Sequence, residues 1–195
     1  MDKNEEQILV MKRSDLNPKF QGFLDVDKFP FNPDMEKIYV KRRGDMEEDP
    51  TYKQLISYAV VKNQKDEILV YTRLTGGGET RLHGQSSIGV GGHMNPDEVL
   101  AGTDLLLNNT LREIEEEIGI KPNQIKDLKL IGFVNDDTNP VGLVHFGLVY
   151  QIVVDESDVH VQETDTLSVQ FVQPSALSSY NLETWSKFIG ESYGY

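Results

Sequence analysis

The chain has 195 residues, and its 32 acidic and 19 basic side chains give a net charge of −13. This length suffices for one domain with a sizeable core, and the acidic balance argues against a nucleic acid polymer or an anionic membrane as partner. The absence of cysteine excludes disulfides and zinc–thiolate sites. Neither a membrane helix, which needs about 20 apolar residues, nor the apolar run of a signal peptide is evident. We therefore expect a cytoplasmic protein.

The first fifty residues contain two segments of strand composition, Gln7–Lys12 and Lys37–Arg42, which are suited to pairing with each other. Prolines between them interrupt regular structure. Four phenylalanines in the same region are expected to cover an edge of the core rather than bind a base; they are Phe20, Phe23, Phe29 and Phe31.

We assign residues 1–50 to an N-terminal extension packed on the core and residues 51–195 to the main domain. Three roles are open for the extension: a lid, an arm that joins two copies in a homodimer, or an extension of the sheet. No internal repeat or linker divides the chain further.

Two apolar, β-branched runs, Leu55–Lys62 and Glu67–Arg73, are separated by four polar residues and predict a hairpin. A glycine-rich loop follows at residues 75–80 and lacks the lysine of a P-loop. Arg73 and Arg81 flank this loop and are candidates for contact with a substrate phosphate. The alternative is that both are solvated loop charges.

Ser86–Gly92 predicts a strand that runs into a pair of glycines. Glycine permits a backbone conformation in which the carbonyl of Gly92 turns toward a metal ion. The four histidines show no metal-ligand spacing, and we interpret His93, beside the glycine pair, as structural.

A helix is predicted to end at Gly119, a residue that commonly follows the last helical turn. Its apolar side is defined by residues at steps of four, three and four, namely Leu107, Leu111, Ile114 and Ile118. The acidic residues Glu113, Glu116 and Glu117 share a different side, and Arg112 borders it.

Like charges at this spacing cost a helix roughly 0.2–0.5 kcal/mol per pair, and these lie near the unfavourable end of the helix dipole. A cation bound between Glu113, Glu116 and Glu117 would offset the repulsion, and hard oxygen ligands suit Mg²⁺ or Mn²⁺. A solvated acidic surface is the alternative interpretation.

Beyond the helix, Leu128–Asn135 and Gly142–Val154 predict two strands around a turn at residues 136–140. After an acidic loop at residues 155–166, Leu167–Val172 predicts another strand, and a second helix is predicted from about Leu182 to Ser192. This order of strands and helices indicates an α/β fold with helices on two faces of a mixed sheet.

The nine residues from Arg112 to Ile120 read REIEEEIGI, and Gly91 and Gly92 stand upstream of them. This combination resembles the Nudix box, whose second half is Arg-Glu-apolar-any-Glu-Glu-any-Gly-apolar. One feature departs from the family pattern, because 13 residues separate Glu98 from Arg112 where the family has seven. Either Glu98 or Asp104 then takes the first glutamate position of the box.

The resemblance implies an α/β/α sandwich and hydrolysis of a diphosphate linkage in a nucleoside diphosphate joined to another group, with a phosphorylated small molecule as partner. It implies that Mg²⁺ or Mn²⁺ is bound by Glu116, Glu117 and the carbonyl of Gly92. Glu113 would serve as a further ligand or as the base, with Arg112 orienting its carboxylate.

Nudix enzymes often use another acid from outside the box. Glu163 is the first candidate and Asp165 the second, while Asp136 and Asp137 compete for the same role. Two other functions remain as alternatives: a non-catalytic sensor for a nucleotide-like ligand, and an interaction module whose acidic surface binds a basic partner. The intact glutamates disfavour the sensor, since a sensor need not keep them.

Overall fold

The computed structural model describes residues 2–31, 35–73, 84–96, 105–161 and 167–194. These residues form ten strands: β1 (Gln7–Lys12), β2 (Gly22–Asp25), β3 (Ile38–Arg42), β4 (Tyr52–Lys62), β5 (Ile68–Arg73), β6 (Ser86–Ser87), β7 (Gly89–Val90), β8 (Asp127–Asn135), β9 (His145–Val153) and β10 (Leu167–Val172). They also form five α-helices: α1 (Arg13–Leu16), α2 (Arg43–Met46), α3 (Leu105–Ile118), α4 (Pro140–Val144) and α5 (Thr184–Ser192). In these parts of the chain, no helix is long and apolar enough to span a membrane.

All ten strands belong to one mixed sheet, and its main path runs β10-β5-β4-β9-β8-β2. The central pair, β4 and β9, is parallel, and the other pairings are antiparallel. The predicted hairpin is confirmed, since β5 follows β4 and begins its pairing at Lys62 and Ile68. β10 has the predicted bounds and pairs with β5 at the far side.

β4 sends alternate side chains to the two faces of the sheet, as a strand must. Leu55, Ala59 and Val61 enter the larger core, which α3 covers through Ile114 and Ile118. Tyr58 and Val60 enter the second core, which is closed by residues in and before α5, among them Ile189 and Leu182. Helices thus cover both faces, and the predicted α/β class with a mixed sheet is confirmed.

The predicted end of α3 is also confirmed. Gly119 has a φ of 71°, and its N–H donates to the carbonyl of Glu115 at 3.0 Å, which closes the last turn. The predicted apolar side is correct for the buried Ile114 and Ile118, whereas Leu111 is only half-buried. Leu106 and Thr110 complete the buried side in its place.

The predicted pairing of the two N-terminal segments is confirmed, because β1 pairs with β3 over five residues. β1 also pairs with β4, so it extends the sheet, which is one of the three roles considered for residues 1–50. Leu9 and Met11 of β1 lie in the larger core. The boundary at residue 50, the lid and the dimer arm stay predictions.

The phenylalanines of this region line the core edge as expected. Phe20, Phe29 and Phe31 pack against the larger core, and the rings of Phe31 and Phe133 lie 4.9 Å apart. Phe23 packs against the second core from β2, a strand that the sequence did not predict. β2 is held by its pairing with β8, which a local pattern cannot show.

The strand predicted from Gly142 begins instead at His145, because α4 occupies residues 140–144. Pro140 stands in the first turn of α4, where its missing N–H costs nothing. The side chain of Asn139 caps this helix by accepting from the N–H of Gly142 at 2.8 Å.

Lys53 holds α4 against the sheet from a fully buried position. Its ammonium donates to Asp137 at 2.7 Å and to the carbonyls of Gly142 and His145 at 2.8 and 3.1 Å. Burial lowers the pKa of Lys53, and the ion pair with Asp137 opposes that shift. Arg13 also pairs with Asp137.

We expect Lys53→Met to lower the free energy of unfolding by about 3 kcal/mol, because it leaves buried acceptors without their donor. Chemical denaturation of both proteins measures the difference. Lys28→Met is the matched control, since Lys28 forms an exposed pair with Asp25, and we expect it to change stability little. Equal stability of the two variants would contradict the role of Lys53.

Candidate active site

An open cleft of about 840 Å³ lies between the C-terminal half of α3 and the Gly91–Gly92 loop, and both line it. The glutamates Glu113, Glu116 and Glu117 line it from α3, and His145 and Asn139 line it from the region of α4. The cleft therefore contains the predicted metal-binding residues Gly92, Glu113, Glu116 and Glu117 together with Arg112.

The glycine pair lies against neighbouring groups so closely that side chains there would collide. A Cβ on Gly92 would lie 2.8 Å from Oε2 of Glu113, and one on Gly91 would lie 2.1 Å from the carbonyl oxygen of Ser57. The carbonyl of Gly92 accepts from the N–H of Ser57 at 2.9 Å, so metal binding would use its second lone pair. Its role as a ligand stays a prediction.

Arg112 joins α3 to the loop after β7. One terminal nitrogen, Nη2, lies 2.8 Å from Oε1 of Glu113 and donates to the carbonyl of His93 at 3.1 Å and to Asn95 at 2.9 Å. The other, Nη1, donates to Glu116 at 2.9 Å. Arg112 thus contacts the carboxylate that it was predicted to orient, and it also fixes the loop.

The three glutamates differ in their surroundings, although the spacing placed them on one side. The side chain of Glu113 is 11% exposed and that of Glu116 is 60% exposed. Glu117 is exposed, and its Oε2 accepts from the N–H of Gly91 at 3.4 Å. A buried carboxylate and two accessible ones, all lining the same cleft, form an oxygen donor set that fits Mg²⁺ or Mn²⁺.

Burial raises the pKa of the Glu113 carboxyl. The guanidinium of Arg112 opposes this shift, while the carboxylate of Glu116 adds to it. A carboxylate whose pKa lies above its ordinary value is a stronger base than an ordinary carboxylate, which suits it to accept a proton.

The fold brings two histidines together in the cleft wall. The Nε2 atoms of His93 and His145 lie 3.2 Å apart, although the residues are 52 positions apart in the chain. Burial lowers the pKa of His93 to about 3 and also lowers that of His145. Local spacing could not reveal this pair, and our interpretation of His93 as an isolated structural histidine was incomplete.

The N-terminal region also contributes to the cleft, which the sequence did not suggest. Lys3, Glu6 and Arg43 line it, and Arg43 pairs with Glu6 at 2.9 Å. Asn95 links this region to the site, because its amide donates to Glu6 and to the carbonyl of Gln7, both at 2.9 Å.

Asp136 lines the cleft, but its carboxylate is occupied by its own loop. It accepts from Thr138 at 2.5 Å and from Asn139 at 2.6 Å. Asp137 is held by Lys53 and Arg13. Both aspartates therefore shape the α4 loop, and their role as the further acid stays a prediction.

Several predicted site residues lie outside the described residues: Arg81, Glu98, Asp104, Glu163 and Asp165. Arg73 is the last residue of β5 and pairs with Leu167, and the structure describes its backbone only. The roles proposed for these residues stay predictions. Among the described cleft residues, the basic side chains are Lys3, Arg43 and Arg112, together with the two histidines.

Known proteins resemble the whole chain. Protein YmaB of Bacillus subtilis (strain 168) is 41% identical over 202 residues, covering 97% of this chain and 98% of that protein. The crystal structure of Tm1382, assigned to the Nudix hydrolases, superposes with a TM-score of 0.78 at 25% identity, covering 96% of this chain and 98% of that one. No family model matches.

A second similar structure is the NUDIX domain of Shewanella oneidensis NrtR in complex with ADP ribose. It has a TM-score of 0.54 at 15% identity and covers 72% of this chain and 86% of its own, so it supports the fold alone. The fold, the Arg112–Ile120 motif and the structural match to Tm1382 define the class of protein. The chain belongs to the Nudix hydrolase family, which is a family of pyrophosphohydrolases.

We expect Glu113→Gln to stabilise the metal-free protein at neutral pH and to leave it little changed in acid. The folded-state pKa lies above the ordinary value of 4.5, so the stability that protonated Glu113 provides is present below that value. That stability is lost as the pH rises through the raised pKa. Glutamine is uncharged at both pH values, so the variant does not lose it. Chemical denaturation in the presence of EDTA, at pH 4 and at pH 7, measures the free energy of unfolding of both proteins. A variant less stable than the wild type at neutral pH would contradict the raised pKa of Glu113.

Proposed function

We propose that the protein hydrolyses a diphosphate linkage in a nucleoside diphosphate derivative, with Mg²⁺ or Mn²⁺ as cofactor. The observation that supports this proposal is the convergence of Glu113, Glu116 and Glu117 on the Gly91–Gly92 loop within one cleft. A diphosphate is strongly anionic, so carboxylates tolerate it only with cations between them.

In this proposal the exposed Glu116 and Glu117 hold the metal, with the carbonyl of Gly92 as a further ligand. When bound, such an ion would supply positive charge to the diphosphate and would lower the pKa of a bound water. The buried Glu113 accepts a proton from the attacking water, and Glu163 is the alternative base. Arg112 positions Glu113 through the contact at 2.8 Å.

Two features of the cleft support a nucleoside diphosphate derivative as the substrate. Lys3 and Arg43 add positive charge on the side of the N-terminal region, where a second phosphate can bind. A recess of about 320 Å³ adjoins the cleft, shares Trp185 with it, and is lined by the rings of Tyr58 and Tyr71. Aromatic walls suit a planar base.

The bound ADP ribose of the similar NUDIX domain makes that compound the first substrate to test. A panel of nucleoside diphosphate derivatives, dinucleoside polyphosphates, NADH and coenzyme A would be incubated with Mg²⁺ or Mn²⁺. Release of phosphate after a phosphatase step measures turnover, and mass spectrometry identifies the products. Tight binding without turnover of any compound would favour the sensor instead.

We expect millimolar Mg²⁺ to stabilise the fold, by about 1.4 kcal/mol at ten times its Kd. Glu116→Gln combined with Glu117→Gln should abolish this stabilisation and the Mg²⁺-dependent turnover, because it removes both exposed carboxylates. Thermal unfolding with and without Mg²⁺ measures the first effect, and the substrate panel measures the second.

Glu115→Gln is the control, since Glu115 is an exposed carboxylate of the same helix that does not line the cleft. It should keep both responses to Mg²⁺. A double variant that is still stabilised as strongly as the wild type would place the metal elsewhere.

We expect Arg112→Lys to lower kcat on the order of 10²-fold, as changes to groups that orient a metal site often do. Lysine keeps the charge but cannot bond to Glu113, Glu116 and the loop together. Arg42→Lys is the control, because Arg42 pairs with Glu5 and Asp45 on the surface. Wild-type kcat for Arg112→Lys, in a protein that unfolds as the wild type does, would refute the positioning role.

A further inference from the structure

A second group of possible metal ligands lies beside the glutamates. The ligand atoms of Glu47, His93 and His145 all lie within 4.8 Å of one another. His93 and His145 line the cleft, while Glu47 follows α2 in the N-terminal region. The group therefore unites three separate segments of the chain around one point.

The distance between the two imidazoles fits joint coordination of one ion. Two zinc–nitrogen bonds of about 2.1 Å at the tetrahedral angle separate their nitrogens by about 3.4 Å. The Nε2 atoms of His93 and His145 lie 3.2 Å apart. The ring centroids lie 5.2 Å apart and the ring planes meet at 69°, so the two rings are not stacked on each other.

The surroundings of His145 orient it as a ligand. Its Nδ1 lies 2.6 Å from the carbonyl of Val141 and donates a proton to it, which leaves Nε2 with its lone pair toward His93. A backbone carbonyl in this position is the outer partner that metal-binding histidines commonly have.

Gln54 supplies an independent observation. It is fully buried, and its Oε1 lies 2.8 Å from Nε2 of His93. Its Nε2 has no hydrogen-bond partner among the described residues. Exchanging the amide oxygen and nitrogen would only move the deficit to the other atom. The contact with Oε1 needs a proton on Nε2 of His93, and a metal ion bound there would displace that proton. A water molecule or anion held by such an ion would supply the acceptor that the buried amide nitrogen lacks.

Glu47 provides the third donor atom, and it lies where a metal ion can enter from solvent. Its side chain is 38% exposed, so the group opens toward solvent. Arg43 lies 3.4 Å from Oε1 of Glu47, and this pair must loosen for the carboxylate to bind an ion. Two nitrogens and one oxygen form a donor set that Mg²⁺ does not select and that Zn²⁺ or Co²⁺ does.

We propose that Glu47, His93 and His145 bind a divalent transition metal ion, of the Zn²⁺ or Co²⁺ class, at a site separate from the carboxylates of α3. The ion would lie in the wall of the same cleft, next to Gly92. It would add a fixed positive charge there for an anionic ligand.

Co²⁺ tests the proposal, because a tetrahedral site with nitrogen ligands gives strong visible absorption and an octahedral oxygen site gives weak absorption. Titration of the metal-free full chain should give a strong band that saturates at one equivalent. His93→Gln and His145→Gln should each remove the band and weaken Co²⁺ binding by more than about 100-fold. Glu47→Gln should weaken binding less.

His160→Gln is the matched control, since His160 is exposed and does not belong to this group of ligands, and it should keep the band. The Glu116→Gln, Glu117→Gln variant should also keep it, which separates this site from the one that we propose for Mg²⁺. A wild type without the band, or a band that persists in both histidine variants, would overturn the proposal.

X-ray absorption at the zinc edge of wild-type protein loaded with one equivalent keeps the test decisive if a histidine variant fails to fold. Scattering from two imidazoles is the expected result. A spectrum with oxygen neighbours and no imidazole would overturn the assignment without any variant.

Discussion

The guanidinium of Arg112 lies where α3 meets the loop after β7, and it joins these two walls of the cleft. It contacts Glu113 and Glu116 on the helix and the carbonyl of His93 on the loop. The charge compensates carboxylates that would otherwise repel each other, and the planar fork fixes their direction. Because Glu113 packs on Gly92, the position of Arg112 also sets how closely helix and loop approach.

The same region ties the N-terminal segment into the site. Asn95 accepts from Arg112 through its oxygen and donates through its nitrogen to Glu6 and to the carbonyl of Gln7. β1 pairs with β4 beneath this contact. The described segments of the first fifty residues therefore contribute to the sheet and to the cleft, and the charged side chains of Lys3 and Arg43 line the same space as the glutamates.

Features encoded by neighbouring residues were predictable. The end of α3 at Gly119 and the bounds of β10 depend on local patterns, and the structure has both. The unlike surroundings of Glu113 and Glu116 were not predictable, because helical spacing gives a direction but not what packs against it. β2, α4 and the His93–His145 pair depend on contacts between distant segments, such as the pairing of β2 with β8.

The parallel pairing at the centre of the sheet bears on how the chain folds. Lys53 of β4 bonds to the carbonyl of His145, 92 positions away, and β4 and β9 pair from there onward. Closing so long a loop costs entropy before any contact repays it, and contacts of high sequence separation slow folding. During synthesis α3 and its glutamates emerge before β9, the strand that completes the central parallel pair. Repulsion between carboxylates is weaker in water than in a cleft walled by protein, so its cost is small in any part of the chain that is still unfolded.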